Sequence, residues 1–161
     1  MSTLSIVRTA RTAAPAEHVL PLPHDFRQWV RWSPWEGLDP DLQHTYTGPE
    51  TGAGSSYAWS GNKKAGAGRM TMLRADEHGC ALELAFTKPF KATNEVTIHV
   101  TPAPDGGSAL AWTMTGEQGL FGRVLYRLFP MEKMLAKDSD TGLAQLGVEA
   151  EADAAAGTSE A

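Results

Sequence analysis

Tyr57 and Trp59, Met70 and Met72, Leu84 and Phe86, and Trp112 and Met114 are four pairs of large side chains, each separated by one small or polar residue. In a strand, this spacing turns both members of a pair toward the same face. Rings and thioethers gathered on one face suit a planar or greasy ligand, because they offer π surfaces and adapt in shape. The same stripe serves equally well as plain core packing. Tyr57 adds a polar handle, since a phenol in an apolar pocket can orient a carbonyl or donate a proton to an enolate. Glu117 and Arg69 flank two of the pairs out of phase and border any opening. Tyr57 with Glu117 as a rim acid is therefore the candidate set for proton transfer, although no catalytic residue is assigned on this basis. Glu83, Glu95 and His99 alternate against apolar neighbours and belong on the solvent side.

Other chemistries lack their residues. His18, His24, His44, His78 and His99 are scattered without helical i, i+4 pairing and Cys80 has no second cysteine, so no metal site is expected. Neither Gly52-x-Gly54 nor Gly66-x-Gly68 completes a phosphate-binding loop, and turn or bulge geometry accounts for both. No G-x-S-x-G elbow occurs. No cofactor is expected. Net charge is −5, but four acids fall in the last thirteen residues, leaving fourteen bases against fifteen acids in residues 1–148. A nearly neutral body without a basic stripe argues against nucleic acid as a partner. A lone cysteine fits a reducing compartment, and no apolar run approaches the roughly 20 residues of a membrane span. A cytoplasmic protein without stable membrane insertion is the expectation; oligomeric state is left open.

The elements that position these residues follow from periodicity. Residues 3–13 read as a strand with one solvated face. Ala14-Pro15-Ala16-Glu17 opens a short helix, Pro21 and Pro23 block its continuation, and Asp25–Val30 forms a second short helix ending at Ser33-Pro34. From Leu42 to Glu117 the period is two, broken by Gly- and Pro-rich turns, which predicts a meander of about six further strands. From Leu120 to about Gly147, Phe121, Val124, Leu125, Leu128, Met131 and Leu135 recur at helical spacing, with a kink expected at Pro130. That helix is the segment able to cover the apolar face of the sheet, with Phe121 and Leu125 turned toward any ligand. Residues 149–161, acidic and Ala-rich, are expected to fray and then become disordered beyond a single domain spanning 1–148.

The element order, the opening Ala14-Pro15-Ala16-Glu17-His18-Val19, the run Trp32-Ser33-Pro34-Trp35-Glu36, and the motifs Tyr46-x-Gly48-Pro49, Tyr57-x-Trp59-x-Gly61 and Gly66-x-Gly68 carry a resemblance. Over roughly residues 3–147 the chain resembles the polyketide cyclase/dehydrase-like branch of the START-like (SRPBCC) superfamily. The resemblance implies an α+β helix-grip fold, in which a curved antiparallel sheet of seven strands wraps a C-terminal helix and leaves a deep ligand cavity between them. Tyr57, Trp59, Met70, Met72, Leu84, Phe86, Trp112, Met114, Phe121 and Leu125 would line that cavity, with Trp32, Trp35 and Arg69 at its rim. Trp32 and Trp35, around a proline, also make a good plug for one end of the sheet, and that role is favoured for them. The near absence of inward ionisable groups favours binding of a small hydrophobic molecule, such as a lipid, a quinone or an aromatic polyketide. The alternatives are a cofactor-independent cyclase, dehydratase or isomerase using Tyr57, and a protein-interaction module.

Overall fold

The computed structural model describes the backbone of residues 2–33, 41–62, 66–88, 91–118 and 131–160, and the side chains of residues 5–33, 41–62, 66–88, 91–116 and 136–156. The alternating segments form seven strands: β1 (Ser2–Thr12), β2 (Gln43–Thr47), β3 (Ser56–Ser60), β4 (Ala67–Asp76), β5 (Gly79–Lys88), β6 (Ala92–Pro102) and β7 (Ser108–Gln118). They make one antiparallel sheet in the order β1-β7-β6-β5-β4-β3-β2. Its register brings the apolar positions into rows. Ile6, Met114, Val96, Leu82 and Met72 pair across five strands, and all are buried. Each such side chain removed from water contributes about 1.5–3 kcal/mol, so this row is a major part of the core.

Between β1 and β2 the chain makes α1 (Ala16–Val19), α2 (Pro21–His24) and a 3₁₀ helix (Phe26–Arg31). As expected, the first helix ends before Pro21, at Val19. The unexpected part is that Pro21 itself opens α2, where the missing N–H lies in a first turn that has no intrahelical acceptor anyway. Asp25 caps the following 3₁₀ helix by accepting from the Arg27 backbone N–H at 2.9 Å. The Trp29 indole donates to the Pro23 carbonyl at 2.9 Å and the Trp32 indole to the Leu22 carbonyl at 3.3 Å, so two buried tryptophans bond carbonyls of α2.

The C-terminal helix, α3 (Met131–Glu160), runs past both the helix end expected near Gly147 and the domain boundary expected at 148. Phe121, Leu125, Leu128 and Pro130 lie outside the described residues. Within them, Ser139, Gly142, Leu143, Leu146, Gly147 and Ala150 form the buried stripe, at three- and four-residue spacing but largely of small residues. Small side chains let the helix lie close on β1, and the Thr12 hydroxyl donates to the Gly147 carbonyl at 3.2 Å. The acids beyond 148 take part in this docking. Glu149 and Asp153 pair with Arg31 at 3.0 and 2.7 Å, and Glu151 accepts from the Ala13 backbone N–H at 2.8 Å. The expected tail therefore begins, at least through Asp153, as docked helix. Charge pairing and close approach replace the large apolar side chains that the segment lacks. Among the described residues, no helix is long and apolar enough to cross a membrane.

Candidate functional site: an aromatic inner face

The described part of α3 packs chiefly on β1 and also on β7, α1 and the 3₁₀ helix. The inner face of the β2–β5 half of the sheet is thus set off from the half under the helix. Tyr57, Met70, Leu84, Asn94 and Gly116 stand in one cross-strand row, and Trp59, Gly68 and Phe86 in the next. Gly68 has a specific purpose there. A Cβ at this position would lie 2.6 Å from the Trp59 indole, so the bare backbone lets that ring lie across β4 toward Phe86. Trp59 and Phe86 meet edge to face, with centroids 5.8 Å apart.

The rings continue outward to the sheet edge. Tyr57 lies 6.1 Å from Trp59 and 5.3 Å from Tyr46, and His44 stacks within 2° of parallel on Tyr46 at 6.4 Å. The register enforces this, because Tyr46 pairs with Tyr57 and His44 with Trp59. The 3₁₀ helix reaches over the same rings from the other side. Phe26 stacks on Tyr57 at 6.2 Å, and the Arg27 guanidinium sits 4.8 Å from the centroid of Tyr46. Burial falls along the series: Tyr57 is buried, Tyr46, Trp59, Leu84 and Phe86 are half-buried, and His44 is exposed.

The expected site residues fall into three groups. Tyr57, Trp59, Met70, Leu84 and Phe86 come together on this face. Met72, Trp112 and Met114 share the inward direction but are fully packed in the core, with Trp112 6.5 Å from Trp29. Phe121, Leu125 and Trp35 lie outside the described residues. Trp32 is a plug rather than a rim residue, because it is only 2% exposed and its ring centroid lies 4.4 Å from that of Trp29. Arg69 is exposed and pairs in register with Ala58 and Ala85, out of phase with Met70, which places it on the outer face of the sheet. Glu117 pairs with Thr3 near the end of β7, and its side chain is outside those described. The strand order puts β4, β5 and β6 between Tyr57 and Glu117. At ~4.8 Å per strand, that puts their backbones about 19 Å apart along the sheet.

Four contributors escaped the sequence reading. Asn94 shares the phase of Val96, Ile98 and Val100, and its amide oxygen occupies the space a Cβ of Gly116 would need. Extending that alternation back by one step would have found it. His44 and Tyr46 alternate on β2 in the same way, but the strand is short and its other residues are polar. Arg27 carries no sequence signal, because its position over Tyr46 depends on how the 3₁₀ helix docks.

A concavity of about 640 Å³ opens elsewhere, between α1–α2 and the β4–β5 turn, where Leu20, Pro21 and Leu22 meet Glu17, Asp25, Asp76 and Glu77. It shares no residue with the aromatic face. Its walls carry no Phe, Tyr or Trp on which a flat ligand could stack, so we place the candidate site on the rings. No group of three or more metal-ligating side chains occurs among the described residues. Cys80 is buried, and burial pushes its thiol up to about 12, which leaves it protonated and inert at neutral pH.

Solved structures share this architecture. The solution structure of KanY protein superposes with a TM-score of 0.65 at 21% identity, covering 94% of this chain and 99% of that one. TTHA0849 from Thermus thermophilus gives 0.63 at 18% identity, covering 93% and 99%. Ara h 8.0201 gives 0.62 at 14% identity, covering 92% and 98%. At these identities the likeness establishes the helix-grip fold alone. No curated protein matches the chain. A family model described as polyketide cyclase/dehydrase and lipid transport matches residues 3–151, nearly the whole of the described fold. The chain therefore belongs to the polyketide cyclase/dehydrase and lipid transport family, within the START-like superfamily of helix-grip proteins.

Proposed function

We propose that the protein binds a small, planar, largely hydrophobic molecule against the aromatic inner face of β2–β5. The observation that carries this reading is the burial gradient on a single face. Where α3 covers the sheet, the large residues are fully buried, whereas Trp59, Leu84, Phe86 and Tyr46 keep accessible area although they point the same way. Half-buried rings lined up at stacking distances are surface that a flat apolar ligand can cover with gain, at about 0.5–1.5 kcal/mol per ring contact beyond area burial. The family's description, covering cyclisation, dehydration and lipid transport, is compatible with such a ligand.

Binding is favoured over catalysis because proton-transfer chemistry needs an acid and a base within reach of one substrate. Tyr57 and Glu117 lie four strands apart in the sheet order, and the described titratable groups that share the inward phase on β2–β5 are His44 and Tyr46 at its edge, the buried Cys80, and Lys88 at the end of β5, none of them a carboxylate. Geometry comes before pKa in such an assignment. An interaction module is supported less. Among the described residues, the exposed large apolar side chains Val7, Val30, Leu73 and Val148 lie on four different elements, and β7, β6 and β5 separate Val7 from Leu73 in the sheet. Native mass spectrometry of protein purified from its own host tests the proposal. A copurified molecule that is lost on Trp59→Ala is expected. A ligand-free protein that also binds no apolar probe in vitro would sink it.

A further inference from the structure

We propose that the ligand carries an acidic oxygen, a carboxylate or phenolate, at the end lying toward β2, and that Arg27 is the residue that selects for it. This rests on the binding reading above and adds the polarity of the ligand. Arg8 is bound to Asp140, Arg31 to Glu149 and Asp153, and Arg74 to Asp76. Arg27 differs. The nearby Asp25 uses its Oδ1 on the Arg27 backbone N–H, and among the described residues no carboxylate pairs with the Arg27 guanidinium. Its neighbour is the Tyr46 ring, 4.8 Å away.

A guanidinium held over a ring is preorganised, because the ring fixes its position while leaving hydrogen-bonding capacity at its N–H edge. Tyr46 is the outward member of the series that runs through Tyr57 to Trp59 and Phe86. A planar ligand stacked along that series would bring its outer end beside Arg27, where a carboxylate or phenolate oxygen can accept charge-assisted hydrogen bonds. The apolar end would rest against Trp59, Leu84 and Phe86, which carry no charge themselves, with Lys88 two residues beyond Phe86 at the exposed end of β5. The arrangement is one-sided, apolar within and cationic at the mouth, and it matches an amphiphilic acid better than a neutral hydrocarbon.

The test compares an anthracene carboxylate with its methyl ester, two probes that share the ring system and differ in charge, by tryptophan quenching and by calorimetry on the full chain. Wild type is expected to prefer the acid by about tenfold. Arg27→Gln should remove that preference by weakening the acid far more than the ester, and Arg27→Lys should restore part of it. Arg69→Gln, the same charge change on the outer face, should alter neither. Equal binding of acid and ester by wild type, or an equal loss of both in Arg27→Gln, would overturn the assignment of Arg27 while leaving the cavity reading in place. Binding of neither probe would overturn both.

Discussion

Ending the chain at Val148 is the perturbation for which sequence and structure disagree most. For deletion of residues 150–161 the composition predicts a change within about 0.5 kcal/mol, the usual range for surface segments, and ending one residue earlier also removes Glu149. The structure gives a larger figure. Ala150 is completely buried, and its loss removes about 0.8–1 kcal/mol of apolar burial. Arg31 would lose both carboxylates; its side chain is 32% exposed, so each pair is discounted to ~0.5 kcal/mol. The Glu151 bond to the Ala13 N–H contributes about 0.5 kcal/mol more. Removing the last turns also leaves the carbonyls of Gln145 to Val148 without helical partners and weakens the packing of Leu146, worth roughly another 1 kcal/mol. The total is about 3 kcal/mol, or some 6–12 °C in Tm for a domain of this size. Urea denaturation followed by circular dichroism reads the difference directly. Arg31→Gln in the intact chain should account for about 1 kcal/mol of it. A truncated chain whose midpoint and Tm match wild type would refute the docking of the C-terminal helix through these contacts.

Leu146→Ala should cost about 3 kcal/mol, because the side chain is fully buried between α3 and the sheet and leaves a cavity; a chemical denaturation midpoint close to wild type would contradict that packing. The Arg8 guanidinium, hydrogen-bonded to Asp140, holds that carboxyl below its ordinary 3.8, so the contribution of this pair is present above pH ~4 and is lost as pH falls through the lowered value. A carboxyl-carbon NMR titration should show Asp140 moving up toward 3.8 in Arg8→Gln, and an unchanged curve would deny the pairing. Cys80 should react with a thiol reagent only at the rate of unfolding, given its burial and a thiol pushed up to about 12; rapid labelling of the native protein would show that the β5 interior opens locally.

The sheet was legible because strand alternation is a local signal. Val96, Ile98 and Val100, or Leu110, Trp112 and Met114, announce their face without any knowledge of their neighbours, and the turns between them are marked by Gly and Pro. The C-terminal helix was legible only in part. Its described contact stripe of Ser139, Gly142, Gly147 and Ala150 around Leu143 and Leu146 works by closeness of approach, whereas a pattern search weights large apolar residues. The docking of Glu149 and Asp153 was hidden for another reason, since it depends on Arg31 more than a hundred positions away in the chain. At the candidate site the inner partners Tyr57, Trp59, Leu84 and Phe86 could be read from phase, but the mouth formed by Arg27, His44 and Tyr46 is created by strand pairing and by the 3₁₀ helix lying over it. Pro21 and Pro23 were read as breakers because a proline's effect depends on its place in a helical turn, which the residue type alone does not specify.

The central claim is that the aromatic inner face of β2–β5 is where a ligand binds. Two-dimensional NMR of the isotopically labelled chain during titration with a planar apolar probe, such as a flavonoid or a quinone, tests it most directly. The account predicts saturable shifts at micromolar concentration that cluster on Tyr46, Tyr57, Trp59, Met70, Leu84 and Phe86, with Val7, Leu73 and Val148 silent. No saturable shift, or shifts confined to those outer residues or to the charged cleft around Glu17 and Glu77, would contradict it.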